Sequence, residues 1–297
     1  MKILAILLVI ALIQQHARSS STEKLSNKTF MLFAGSPFGF WGGPYNKTRL
    51  DEFLEGLEKI SDLVDVVSIP SYFLEDPANK TSGGLKAEPN GDIVNRAVQD
   101  AGFRVVPLIG DFYGQNDIRR YRYCMSEGRD EFIQACMKET RRLSLDGLNF
   151  DFEPSPTSCE NYNCSEDDAR VFAEFLTMVE TNLSSLGAHA QVDTGQSVLA
   201  KTSILNQSRV SRLITMNTYY DTASYDIALP RDLHNDGLDR FSLGICPGCF
   251  NSSLQDVKHR VSLAQTYNVR HIAYWSESNI PDVWLSDIRD WKLSKLK

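Results

Sequence analysis

Apolar, β-branched runs of strand length recur along this chain at 30–36, 64–70, 104–110, 147–153, 190–195, 213–219, 241–246 and 271–275, and segments of helical periodicity separate them. Strands that alternate with helices are not hairpins, because each crossover helix returns the chain to lay the next strand parallel to the last. Within 49–63, Leu50, Phe53, Leu54, Leu57, Ile60 and Leu63 fall three and four apart, the stripe a helix needs to cover a sheet, and 168–186 repeats the pattern. Eight such units in 297 residues match the size of a (β/α)8 barrel, the TIM barrel of the α/β class. No Pro/Gly/Ser-rich linker divides the chain, so one barrel domain is expected over 21–297. The units after the fifth and sixth runs are short and the last helix, from 281 onward, is weakly patterned, which leaves a doubly wound open sheet as the alternative.

Residues 1–20 carry Lys2, an unbroken apolar run at 3–13 and a short polar stretch ending in small residues, the pattern of a secretory signal peptide. The run is too short to cross a bilayer of about 30 Å, so no membrane anchor is expected. Export makes the six cysteines better candidates for bridges than for free thiols. Cys159 and Cys164 share one polar loop, and Cys246 and Cys249 flank Pro247 and Gly248, which leaves Cys124 with Cys136. Zinc at Cys246 and Cys249 lacks a second ligand pair. Sequons at Asn27, Asn46, Asn79, Asn163, Asn182, Asn206 and Asn251 agree with a secretory route, to the outside or to a lysosome-like compartment. The Asn163 sequon runs through Cys164, where a bridge competes with glycan addition.

A formal charge of -7 and a pI near 5.3, with no basic block longer than Arg141-Arg142, leave no electrostatic footprint for nucleic acid. A neutral or small substrate fits better, and a monomer is expected.

The chemistry concentrates in Leu145-Asp146-Gly147-Leu148-Asn149-Phe150-Asp151-Phe152-Glu153-Pro154. On a strand, alternate side chains share a face, so Asn149, Asp151 and Glu153 point one way and Leu148, Phe150 and Phe152 the other. In a barrel the polar row faces inward, with Glu153 at the carboxyl end where active sites of this fold lie. Polar groups in a barrel interior cost several kcal/mol unless hydrogen-bonded, so the row asks for a reason. Neighbouring carboxyls can share a proton, which keeps one of them able to donate it at neutral pH. The structural alternative is an inward salt-bridge network with Lys or Arg, which the neighbouring runs supply sparsely.

Here the chain resembles glycoside hydrolase family 18, the chitinases, chitobiases and related endoglycosidases, whose motif D-G-x-D-x-D-x-E closes the fourth barrel strand. This sequence reads D-G-L-N-F-D-F-E, with Asn149 where most members have Asp, as the di-N-acetylchitobiase branch also has. On the sixth run, Met216-Asn217-Thr218-Tyr219-Tyr220-Asp221 is similar to the family's M-x-Y-D with one extra residue. Either tyrosine can therefore be the one that contacts the acetamido group; Tyr219 is preferred because it would point inward with Asn217. On the eighth run, Trp275 is placed like the family's closing tryptophan, the floor under the sugar, with a buried core Trp as the other reading. The S-x-G-G element of the third strand is absent, and Leu108-Ile109-Gly110-Asp111 stands there. Asp111, Asp193 and Asp221 fall near strand ends, to bind substrate hydroxyls or to cap the following helix.

The resemblance implies Glu153 as acid/base, Asp151 and Tyr219 as the groups that orient a substrate acetamido, and a substrate-binding set of Asn149, Trp275, Asn217, Tyr220, Asp221 and Asp193. It implies a retaining, substrate-assisted mechanism that needs no metal and no cofactor. Substrates are then N-acetylglucosamine oligosaccharides or glycans with a β-1,4-linked residue at the cleaved position. Few residues lie between the seventh run and its helix, so the insertion domain of many chitinases is not expected, and a shallow, open site is. Two readings compete: a lectin-like barrel that binds such sugars without cleaving them, and a Mg²⁺-dependent barrel enzyme using Asp151, Glu153, Asp193 and Asp221.

Overall fold

Strand and helix alternate along the chain in the computed structural model, which describes residues 28–34, 46–76, 82–111, 116–195, 197–249, 253–276, 280 and 282–294. The leader at 1–20 and the sequons at Asn27, Asn79 and Asn251 lie outside these residues. So do the segments 35–45, 112–115, 250–252 and 277–279, on which the expectation of a shallow, open site depends.

The strands are β1 (Thr29–Ala34), β2 (Val66–Ser68), β3 (Pro70–Leu74), β4 (Leu85–Ala87), β5 (Arg104–Val105), β6 (Leu108–Gly110), β7 (Gly147–Asp151), β8 (His189–Thr194), β9 (Arg212–Thr215), β10 (Phe241–Ile245) and β11 (His271–Ser276). From β6 the ladder runs parallel through β7, β8, β9, β10 and β11 to β1, and β1 pairs in turn with β2. Two barrel strands are each broken in two. Ile69 separates β2 from β3, and Val106-Pro107 separates β5 from β6, while β2 pairs with β5 and β3 with β6. Pro70 and Pro107 sit at the breaks, where a residue without a backbone N–H cannot donate to a ladder. The parallel pairing of β11 with β1 closes the ring of eight strands and replaces the open-sheet alternative. The short β4, antiparallel to β3, is an addition to the pattern that the sequence does not announce.

The covering helices are α1 (Lys47–Lys59), α2 (Gly91–Asp100), α3 (Ile118–Met125), α4 (Arg129–Leu143), α5 (Pro156–Tyr162), α6 (Glu166–Ser184), α7 (Thr202–Leu205), α8 (Thr222–Asp236), α9 (Leu254–Thr266) and α10 (Asp282–Leu293). The stripe of the first helical segment buries Leu50, Phe53 and Leu57 of α1. The unit after β8 is short, as expected. That after β9 is not: α8 is a full helix whose pattern Pro230 interrupts. The weakly patterned α10 is held by Trp284, Ile288 and Trp291, all buried.

Two apolar layers result. The outer layer lies between sheet and helices, where Leu148, Phe150 and Phe152 are wholly buried and Phe152 stacks on Phe172 of α6 at 5.0 Å. Burying aromatic surface of this kind contributes roughly 25 cal/mol per Å². The inner layer, made by Met31, Phe33, Val66, Val106, Leu108, Ile214 and Ala273, fills the barrel below the polar row.

Cys159–Cys164 and Cys246–Cys249 are bridged, with Cα atoms 4.7 and 5.3 Å apart. The expected third bridge is not formed. Cys124 of α3 and Cys136 of α4 are both buried and unbridged, and the Cys124 thiol donates to the Tyr121 carbonyl one turn back at 3.1 Å.

Candidate active site

The strand that carries the acids is set in place by the two residues at its start. Asp146 accepts a hydrogen bond from the backbone N–H of Val105 at 2.9 Å, tying β7 to the broken third barrel strand. Gly147 is required by packing, since a Cβ there would lie 2.2 Å from the carbonyl oxygen of His189 on β8. Beyond them the side chains alternate as expected, although the ladder ends at Asp151 and Glu153 projects past the end of β7.

Asn149 is fully buried, and its Nδ2 donates to Asp193 Oδ2 of β8 at 2.7 Å. Asn149 Oδ1, Asp151 Oδ1 and Asp193 Oδ1 are buried without hydrogen-bond partners. The site is therefore rich in acceptors and poor in donors. Burial pushes the Asp151 carboxyl well above the usual carboxylate range, and the nearby Glu153 and Asp193 push it further. Burial also raises Asp193 strongly, against the opposing hydrogen bond from Asn149, and it raises Glu153. Among the described residues no Lys or Arg side chain pairs with these three acids, which removes the inward salt-bridge reading. Burial without a nearby cation favours the neutral form of each carboxyl over its ionised form.

Two tyrosines close on the cluster. Tyr219, in the turn after β9, has its phenol raised well above its ordinary value by burial and by the proximity of Asp193, Asp151 and Glu153. Its ring lies against Gly244 of β10, where a Cβ would come within 2.6 Å of it. Tyr220 is half exposed, so of the two tyrosines only Tyr219 joins the acids. Tyr121 of α3, which the sequence does not single out, is fully buried and bonded through its phenol to the backbone of Glu153, and its phenol is raised well above its ordinary value first by burial and then by Asp111, Asp151 and Glu153. Its hydroxyl donates to Asn116 Oδ1 at 3.1 Å and its ring lies 4.7 Å from that of Phe152. Trp275 is half buried near the carboxyl end of β11, on the inner face, its ring 5.2 Å from Phe33.

Three expected positions go elsewhere. Because β9 ends at Thr215, the alternation does not carry on to Asn217, and this side chain turns outward to donate to Asp232 of α8 at 2.9 Å. Asp221 is the N-cap of α8, accepting from the backbone N–H of Ser224 at 3.0 Å. That commits a carboxylate the Mg²⁺ reading requires. Asp111 is buried in an ion pair with Arg120 at 3.1 Å and accepts from the backbone N–H of Asp117 at 2.8 Å, so it anchors α3.

No protein-family model matches the chain, and a search of curated proteins returns no match. Solved structures do match. A chitinase from Chromobacterium violaceum superposes with a TM-score of 0.69 at 9% identity, covering 90% of this chain and 100% of that one. The spore cortex-lytic enzyme SleL of Bacillus megaterium gives 0.71 at 10% identity over 93% of this chain and 76% of its own. Catalytic domain 2 of the Ostrinia furnacalis Group II chitinase, solved as a mutant with penta-N-acetylchitooctaose, gives 0.56 at 11% identity over 74% and 64%. At such identities the likeness is one of architecture, and the chain has the (β/α)8-barrel fold of the chitinases.

Proposed function

We propose that this protein is a glycoside hydrolase that cleaves β-1,4-linked N-acetylglucosamine, in chitin oligosaccharides or in the chitobiose core of N-glycans, with retention and with Glu153 as acid/base. The observation that carries the reading is the convergence of Glu153, Asp151 and Tyr219 at the carboxyl end of β7 without a basic partner. The fold supports it, and the bound oligosaccharide of the Ostrinia furnacalis structure supports the substrate class.

The chemistry follows from the geometry. Glu153, kept protonated by burial, gives its proton to the glycosidic oxygen as the C1–O bond breaks. No second carboxylate stands across the bond on this strand face, so the attacking group is the carbonyl oxygen of the sugar's own 2-acetamido group, which closes an oxazolinium ring. Asp151 accepts the acetamido N–H and Tyr219 donates to the carbonyl oxygen, while Trp275 supports the ring. Water then attacks C1, loses its proton to Glu153 and reopens the oxazolinium with net retention. This chemistry asks for no metal or cofactor. The leader and the sequons support a place outside the cell or in a lysosome-like compartment.

Purified protein and a Glu153→Gln variant, compared on fluorogenic N,N′-diacetylchitobiose and chitotriose substrates, test the reading. Wild-type turnover that falls by at least ~10²-fold in the variant, with unchanged circular dichroism, is the expected result. Tight binding of chito-oligosaccharide with no turnover by either protein would replace the hydrolase with a lectin-like barrel, and turnover that survives in the variant would remove Glu153 from its role.

A further inference from the structure

Position 149 carries an amide where the resemblance has a third strand acid, and the missing carboxyl reappears one strand away. We propose that Asp193 of β8 is the carboxyl with which Asp151 shares its proton, and that Asn149 is the amide that holds Asp193 in position for this. The inference rests on the hydrolase reading of the site.

The argument is one of donors and acceptors. One N–H of Asn149 is spent on Asp193 Oδ2 at 2.7 Å. Three buried oxygens, on Asn149, Asp151 and Asp193, are then left with no donor. The register that pairs Asn149 with Gln191 and Phe150 with Val192 brings Asp151 and Asp193 to adjacent positions on β7 and β8, and two ionised carboxylates placed there beside the Asn149 amide would cost several kcal/mol. A single proton on the Asp151/Asp193 pair makes one carboxyl a donor and leaves one negative charge, which the Asn149 amide stabilises. Among the described residues, the titratable groups that face the pair are Glu153, beyond the end of β7, and Tyr219, from the turn after β9. Tyr121 of α3 faces Asp151 as well, and none of these groups is basic. When an acetamido N–H reaches Asp151, that carboxyl must be ionised to accept it. Its proton passes to Asp193, one O–H bond breaking as the other forms, and returns when product leaves. Asp193 is thus a positioning residue that acts through Asp151.

The test uses Asp193→Asn and the exchange variant N149D/D193N, which keeps one carboxyl and one amide in contact. In D193N, kcat should fall at least ~10-fold with KM little changed. The alkaline limb of the pH profile should move down by about one unit, because a neighbouring negative charge is gone. The exchange variant should return the limb to its wild-type position. Infrared spectra of the resting proteins give a readout independent of turnover: a protonated-carboxyl band at neutral pH in wild type, kept in the exchange variant and diminished in D193N. A chain without glycosidase activity but with this infrared pattern would retain the shared proton while losing the proposed function. A limb and a band unmoved in D193N would overturn the proposal. Should D193N not fold, the exchange variant alone decides, and a limb that moves upward in it overturns the proposal, since position 149 would then carry a new charge rather than a relocated one.

Discussion

Gly147 shows how a motif residue can be fixed by packing rather than by chemistry. Its absent Cβ would sit 2.2 Å from a backbone oxygen of β8, which cannot swing aside as a flexible side chain would. Gly147→Ala should therefore force β7 and β8 apart and cost about 3 kcal/mol, read as a shift of the urea midpoint. The displaced strand carries Asn149 and Asp151, so turnover should fall with stability. The alternation of Leu148, Phe150 and Phe152 with Asn149, Asp151 and Glu153 was legible in the sequence because period two is a property of the strand itself. Asn217 was misread for the same reason. Period two lapses where the strand ends, and nothing in Met216-Asn217-Thr218 marks that the ladder stops at Thr215. Asp221 was legible both as a substrate ligand and as a cap for the following helix, and the cap is what forms, its carboxylate accepting from the Ser224 backbone N–H.

The element that escaped sequence reasoning is α3. It brings Tyr121 to the acids from outside the strand pattern, and no periodicity in Arg119-Arg120-Tyr121-Arg122 reports what lies beneath. The flanking arginines hold it. Arg120 pairs with the buried Asp111, and Arg122 makes a bidentate pair with Asp168 at 2.7 and 3.0 Å. Asp168 is also the N3 residue of the capping box that starts α6, where Ser165 is the cap. One carboxylate thus joins the start of α6 to α3. Asp111→Ala should cost about 3 kcal/mol, because it strands a largely buried guanidinium. Ser165→Ala should cost about 1 kcal/mol, the worth of a cap. The first change should also lower kcat by releasing Tyr121, whereas the second should leave kcat near wild type, and steady-state kinetics at a temperature where both variants are folded separates them. The helix α8 was obscured by Pro230, which interrupts the apolar stripe without ending the helix. The Cys124–Cys136 pairing came from elimination alone, and elimination carries no information about distance.

At the scale of the whole molecule, burial favours the proton on several acids and the neutral form of one histidine, and the two act oppositely on stability. Asp236, at the C-terminal end of α8, is buried with both carboxyl oxygens unpartnered, and burial together with Asp232 raises it to about 8. Asp151, Glu153 and Asp193 are raised as well. Asp236, Glu153 and the Asp151/Asp193 pair, taken as one unit, hold a proton in the folded chain after the unfolded chain has lost it, so each makes stability fall as pH rises from the ordinary carboxylate range towards its folded value. His271, lowered to about 3 by burial and by Arg212, Arg270 and Arg104, works the other way between about 3 and its ordinary 6.5, because below 6.5 the unfolded chain gains a proton that the fold excludes. Above 6.5 that compensation ends while Asp236 still resists ionisation. The melting temperature should therefore drop most steeply between about 6.5 and 8. Below the ordinary carboxylate range, ion-paired acids with lowered values, such as Asp92 beside Arg142, give up their contribution and set the acid limit. Asp236→Asn should raise stability by about 2 kcal/mol at pH 8 and change little near pH 3, where the carboxyl is largely protonated in both states. A thermal scan of both proteins from pH 3 to 9 checks this, and a parallel offset at every pH would mean that Asp236 acts through packing rather than through its proton.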